Sequence, residues 1–122
     1  MILVAKIVVP LKPPSLNDWN NKNNSRFIYM NVKKKWTRWI PPANYDQHAD
    51  GFRFVTVTRF MRGRERAYDG DNLVGGFKPV ADILVKHRFL LGDTEDSVLI
   101  TYGQTRGEKS ETVIEVFKHG ES

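Results

Sequence analysis

Apolar residues recur at helical spacing in two stretches of this chain, and β-rich runs stand before, between and after them. Ile28, Val32, Trp36 and Trp39 follow an i, i+4, i+8, i+11 pattern, and Val80, Leu84, His87 and Leu91 a similar one. Ile2–Val9, Phe52–Met61, Val98–Tyr102 and Thr112–Phe117 are rich in the β-branched and aromatic residues that suit strands. The order strand, helix, strand, helix, strand, strand predicts an α+β fold, a small mixed β-sheet packed with two main helices. At 122 residues the chain makes a single domain, 1–122, with no room for a second lobe.

Turn chemistry sets the boundaries. Pro10, Pro13 and Pro14 remove backbone donors and fix φ, so the segment after the first strand is extended or turning. Asn17, Asn20, Asn21, Asn23 and Asn24 make the next stretch, to Ser25, a loop. The first helix then covers 26–40 and stops before Pro41 and Pro42. Gly63 ends or turns the second strand. The second helix covers about 78–88, with Pro79 suited to its first turn; the alternative starts it nearer Asn72, with a break at Gly75 and Gly76. Lys78 precedes a proline and belongs at a boundary. Gly92–Asp96 and Gly103–Ser110 are polar turns.

Several chemistries drop out. The chain has no cysteine, which removes disulfides, thiolate zinc sites, iron–sulfur clusters and thiol catalysis together. Its histidines, His48, His87 and His119, are scattered, and His87 reads as packing or surface rather than as a ligand. Gly70–Lys78 does not fit G-x-x-x-x-G-K-[ST], because Phe77 precedes Lys78 and Pro79 follows it, so no nucleotide cofactor is expected. Asp69-x-Asp71 starts like a calcium loop, but its glycine comes second and Val80 stands twelfth, where glutamate is needed. H-E-x-x-H and G-x-S-x-G are absent. Ile2–Val9 is interrupted by Lys6 and follows no basic segment, so it reads as a strand rather than a signal peptide. No run approaches the roughly 18 apolar residues of a membrane span. The expectation is a cytoplasmic protein with no membrane partner.

The net charge of +5 is unevenly spread. Residues 1–66 carry 13 Lys and Arg against 4 Asp and Glu, and residues 67–122 carry 6 against 10. A basic half joined to an acidic half suits a polyanion surface beside a carboxylate cluster. A solvated surface with chance asymmetry is the plain alternative. Arg62, Arg64 and Arg66 are candidate phosphate contacts, as are Lys33, Lys34 and Lys35 beside Trp36 and Trp39. Aromatics at helical spacing are more often core, and that is the reading taken for Trp36. Trp19, in a loop, is a wedge or, better, a cover.

The remaining chemistry belongs to carboxylates. If residues 69–71 are extended, Asp69 and Asp71 point to the same face. A helix that packs back on the sheet returns Asp93 to that face. Three carboxylates with no thiol or paired histidine suit Mg²⁺ or Mn²⁺. Such ions orient water and stabilise the leaving oxygen in phosphodiester hydrolysis. Lys78 is placed to stabilise charge on the phosphorus or to orient water. The plain reading is an Asp-Gly turn, Asp71 or Asn72 as a helix cap, and Asp82 paired with Lys78 or Lys86 one turn away.

Asp69-Gly70-Asp71-Asn72-Leu73, then Lys78, Asp82-Ile83-Leu84 and Leu91-Gly92-Asp93 resemble, in that order, the RusA family of Holliday junction resolvases, especially its phage-borne members. Pro13-Pro14-Ser15-Leu16-Asn17 after a first strand is similar to the family's opening. The resemblance implies a RusA-like homodimer and a Mg²⁺-dependent endodeoxyribonuclease of DNA recombination and repair, resolving four-way junctions by paired nicks. By position, Asp69, Asp71 and Asp93 match the metal-binding aspartates and Lys78 the catalytic lysine. Gly92 stands where the family prototype has an acidic residue, and Val74–Phe77 lengthens the spacing before Lys78. A branched-DNA-binding module that keeps the fold but cuts poorly is the alternative, and a small structural protein with an acidic cap is a third.

Overall fold

The computed structural model describes residues 1–19 and 25–120. Strand β1 (Ile2–Val9) is followed by the proline segment and a single helical turn, α1 (Leu16–Trp19). Helix α2 (Ser25–Thr37) leads through a 3-10 turn at Tyr45–Gln47 to β2 (Arg53–Met61). Helices α3 (Gly70–Gly76) and α4 (Lys78–Lys86) come next, then β3 (Val98–Arg106) and β4 (Glu111–Lys118). The four strands form one sheet in the order β1-β4-β2-β3. β4 runs antiparallel to both β1 and β2, whereas β2 and β3 are parallel, with Arg53 beside Val98 and Met61 beside Arg106. A parallel pair requires a crossover, which α3 and α4 provide. The result is the mixed-sheet α+β fold with two main helices, α2 and α4, that the periodicities imply.

The core lies between one face of the sheet and these helices. Ile7 and Val9 of β1, Val55 and Val57 of β2, and Ile114 and Val116 of β4 meet Trp36 of α2, Ile40, and Val80, Ile83 and Leu84 of α4. β2 alternates strictly between buried and half-buried positions, leaving Phe54, Thr56, Thr58 and Phe60 half-buried on the other face. Trp36 is core, as its spacing suggests. Trp39 is exposed, because α2 stops at Thr37 and the helical period no longer carries it inward; Ile40 is buried instead.

Three further differences have local causes. Leu16–Trp19 forms a helical turn where a loop is expected from Asn17; the rest of that stretch, 20–24, and the Trp19 side chain lie outside the described residues. The second helix is split at Phe77 into α3 and α4, the alternative that the glycine pair allows. A Cβ on Gly76 would stand 2.0 Å from the Pro14 carbonyl oxygen, so glycine lets the proline segment cross the helix there. β3 extends to Arg106, shortening the expected turn, and the Gly107 amide donates to the Met61 carbonyl at 2.9 Å. Gly63 turns the chain after β2 with a φ of 62°, a conformation glycine adopts without strain. No helix among the described residues is long and apolar enough to cross a membrane.

Candidate functional site

The segment that delivers the acidic motif is held by a buried arginine. Arg59 occupies an inward position of β2 and is 2% exposed. Its Nη1 donates to the Arg66 carbonyl at 3.0 Å and to Gln104 Oε1 at 3.1 Å, and its Nη2 stands 3.5 Å from Glu65 Oε2. The guanidinium also lies 4.1 Å over the ring of Tyr68. Gln104 binds Tyr68 twice, accepting from its amide and donating to its carbonyl, each at 2.9 Å. The Tyr68 hydroxyl donates to the Pro13 carbonyl at 3.0 Å, joining this segment to the proline stretch. Arg106 Nη1 donates to the Gly63 and Glu65 carbonyls, both at 2.8 Å. The Arg62 amide, donating to the Glu65 carboxylate, holds that carboxyl below the usual range, against a smaller opposing effect of burial and with help from the Ser110 hydroxyl and the Arg59 charge.

Asp69 therefore enters α3 from a fixed backbone, and it is the helix cap. Its backbone is extended, with φ −67° and ψ 161°. Its Oδ1 accepts from the Asn72 amide at 2.9 Å and its Oδ2 from Asn72 Nδ2 at 3.2 Å. This corrects two expectations. The cap is Asp69, not Asp71 or Asn72. Asp71 lies in the first turn of α3, so residues 69–71 are not an extended run and period-two alternation does not align the two carboxylates. Both residues are exposed.

Lys78, Asp82 and Asp93 come together. Lys78 opens α4 before Pro79, the boundary position its sequence requires. Its Nζ stands 3.4 Å from Asp93 Oδ2 and 3.9 Å from Asp82 Oδ1. The Tyr29 hydroxyl of α2 donates to Asp82 Oδ2. Burial raises the Tyr29 phenol well above its ordinary ionisation, reinforced by its bond to Asp82 and by the charges of Asp82 and Asp93. Among the described residues, no three His, Asp or Glu side chains gather closely enough to hold one ion, so Asp69, Asp71 and Asp93 do not form a closed trio. The donors present are carboxylate oxygens, which fit a hard cation, and the Lys78 ammonium already stands between two of them.

The expected basic residues lie on two other segments of the chain. Arg62, Arg64 and Arg66 are exposed between β2 and α3. Lys34 and Lys35 are exposed on α2, and Lys33 is half-buried. Between α2 and the proline segment lies an open cleft of about 600 Å³, lined by Lys12, Pro14, Val32, Lys35, Trp36 and Tyr68. Lys12 of this cleft, and Arg106 on the Gly63 and Glu65 carbonyls, are basic residues that charge clustering along the sequence does not single out. Tyr29 is likewise missed, because its partner lies 53 residues away. His87 acts in packing: its Nδ1 hydrogen-bonds the Ile40 carbonyl at 2.7 Å. No protein-family model matches the chain, and no match is found among curated proteins.

Proposed function

We propose that the protein is a Mg²⁺-dependent, structure-selective endodeoxyribonuclease that resolves four-way DNA junctions by paired nicks and works as a homodimer in the cytoplasm of a bacterial or phage-infected cell. The observation that carries this reading is the Lys78 ammonium 3.4 Å from Asp93, a residue 15 positions away, beside the acidic turn at Asp69–Asp71 in sequence. On this reading Asp69, Asp71 and Asp93, which do not close on one point in this structure, would supply the carboxylates for Mg²⁺, or for Mn²⁺ in its place. The ion, when bound, activates water and stabilises the leaving oxygen. Lys78 brings positive charge to the reacting phosphate. Arg62, Arg64, Arg66 and the α2 lysines hold flanking phosphates. Two-fold symmetry suits a near-symmetric junction, one cluster for each nick.

A second reading, a branched-DNA-binding module without cleavage, is favoured by one observation. Asp69 engages both its carboxylate oxygens with Asn72, as a structural cap does. The deciding experiment compares a labelled four-way junction with linear duplex of the same sequence, in Mg²⁺ or EDTA, using wild type, Asp71→Asn and Asp93→Asn. Mg²⁺-dependent nicking of the junction alone, lost in both variants, supports the nuclease. Tight junction binding without nicking supports the module. Neither binding nor nicking leaves the acidic motif as turn and cap chemistry.

A further inference from the structure

The two carboxylates beside Lys78 are held differently. Asp82 lies one turn along α4 from Lys78, so helix geometry keeps the pair adjacent. Asp93 lies beyond the end of α4, in the segment before β3. Asp82 also has a fixed orientation: Tyr29, reaching across from α2, donates to Oδ2, which leaves Oδ1 turned to Lys78. The Lys78 side chain is 59% exposed, so its ammonium is free to change partners without disturbing the core.

We infer that Asp82, aimed by Tyr29, is a second seat for the Lys78 ammonium, occupied when a divalent cation takes Asp93. This inference rests on the cation-binding role given to Asp93 above. An ammonium and a divalent cation repel one another at a shared carboxylate. A lysine with Asp93 as its sole partner would compete directly with the cation. Asp82 removes that competition while keeping the ammonium near Asp93, where a phosphate would need it. Tyr29 and Asp82 are then positioning residues acting through Lys78, not ligands of the ion.

The test measures Mn²⁺ affinity by electron paramagnetic resonance on the whole protein, without DNA, with far-ultraviolet circular dichroism to verify each fold. Asp82→Asn should weaken Mn²⁺ binding about tenfold, Tyr29→Phe about threefold, and Lys78→Met should tighten it. In the Lys78→Met background, Tyr29→Phe should have no effect and Asp82→Asn less than about a twofold effect. Tyr29→Phe changes no charge, and an effect that vanishes in the Lys78→Met background passes through Lys78 rather than directly through Asp93; should Asp82→Asn fail to fold, the Tyr29→Phe and Lys78→Met pair carries the test alone. Equal weakening by Asp82→Asn with and without Lys78 would overturn the seat, since that is the signature of a ligand or a plain charge effect. An unchanged affinity in Tyr29→Phe would overturn the aiming role. Mn²⁺ binding with the expected pattern but no junction nicking removes the nuclease reading and leaves the seat standing. Nicking by wild type with affinities indifferent to Tyr29 and Asp82 does the reverse, and no Mn²⁺ binding by any form removes the seat whatever the junction assay gives.

Discussion

The Arg59 guanidinium lies 4.1 Å over the Tyr68 ring, and through it the core face of β2 is tied to the residue immediately before Asp69. The same guanidinium binds the Arg66 carbonyl and Gln104, which in turn holds Tyr68. The planar fork of arginine makes these contacts together, and lysine cannot. Arg59→Lys should therefore lower stability by about 2 kcal/mol, combining a lost cation–π contact with a half-buried hydrogen-bond network left poorly paired. Urea unfolding measures this, and limited proteolysis should show earlier cleavage in 62–68. An unchanged midpoint would mean that the segment is held by Gln104 and Arg106 alone.

Gly76 and Gly70 separate close approach from simple helix propensity. A Cβ at Gly76 would meet the Pro14 carbonyl at 2.0 Å and Ser15 at 2.6 Å, both backbone atoms that cannot rotate away. Gly76→Ala should cost about 3 kcal/mol or more, at or beyond the upper end of ordinary overpacking. Nothing lies within 4 Å of a Cβ at Gly70, so Gly70→Ala should change stability by less than about 1 kcal/mol. Thermal unfolding of the two variants side by side decides it; similar effects would show that the proline segment yields.

The elements were legible because their signals are local. β2 shows its alternation in Val55, Val57 and the residues around them, and Trp36 keeps helical step with Val32. The buried role of Arg59 was missed, because its charge hides it, although position 59 shares the parity of Val55 and Val57 and so points inward. The Lys78–Asp82 pair follows from i, i+4 spacing. What the sequence does not carry is long-range placement. Asp93 reaches Lys78 only through the return of the chain after α4, and Tyr29 reaches Asp82 only through the packing of α2 on α4. The relation between Asp69 and Asp71 was misjudged because one residue of helix start decides whether the period is two or 3.6.

Tyr102 gives stability an alkaline limb. Burial pushes its phenol from 10.0 up to about 12, with the ring of Phe77 packed edge-on at 5.6 Å. The unfolded chain loses this proton first, so the stabilisation is full below pH 10 and is lost as the pH rises through about 12. At pH 11 the difference is on the order of 0.5 kcal/mol after allowance for solvent screening. Tyr102→Phe should flatten that part of the urea stability profile between pH 9 and 11. An equally steep decline would assign the limb to other groups, Tyr29 first among them.

Arg62, Arg64 and Arg66 differ from Arg59 in exposure, and so should differ in effect. Each exposed arginine that neutralises a phosphate contributes about 0.9 to the slope of log affinity against log salt. Alanine at each should lower the slope of junction binding by about that amount while leaving the unfolding midpoint nearly unchanged. Fluorescence anisotropy across a salt series measures the slope. Three unchanged slopes would remove this segment from the DNA surface.

Asp69 carries a structural task and a proposed chemical one, and two substitutions part them. Its Oδ1 accepts from the Asn72 amide at 2.9 Å, a capping bond that an asparagine side-chain oxygen can also accept. Asp69→Asn should therefore keep the stability of α3 to within a few tenths of a kcal/mol, whereas Asp69→Ala should cost about 1 kcal/mol. Asn removes the negative charge and, with it, only the exposed second acceptor that Oδ2 offers Asn72 Nδ2. If Asp69 also serves a cation, junction nicking should fall at least about a hundredfold in Asp69→Asn at unchanged unfolding midpoint, with junction binding retained or tightened because a charge repelling phosphate is gone. Nicking that survives in Asp69→Asn and declines in Asp69→Ala only in proportion to stability would make Asp69 a cap and nothing more, leaving Asp71 and Asp93 to hold the ion.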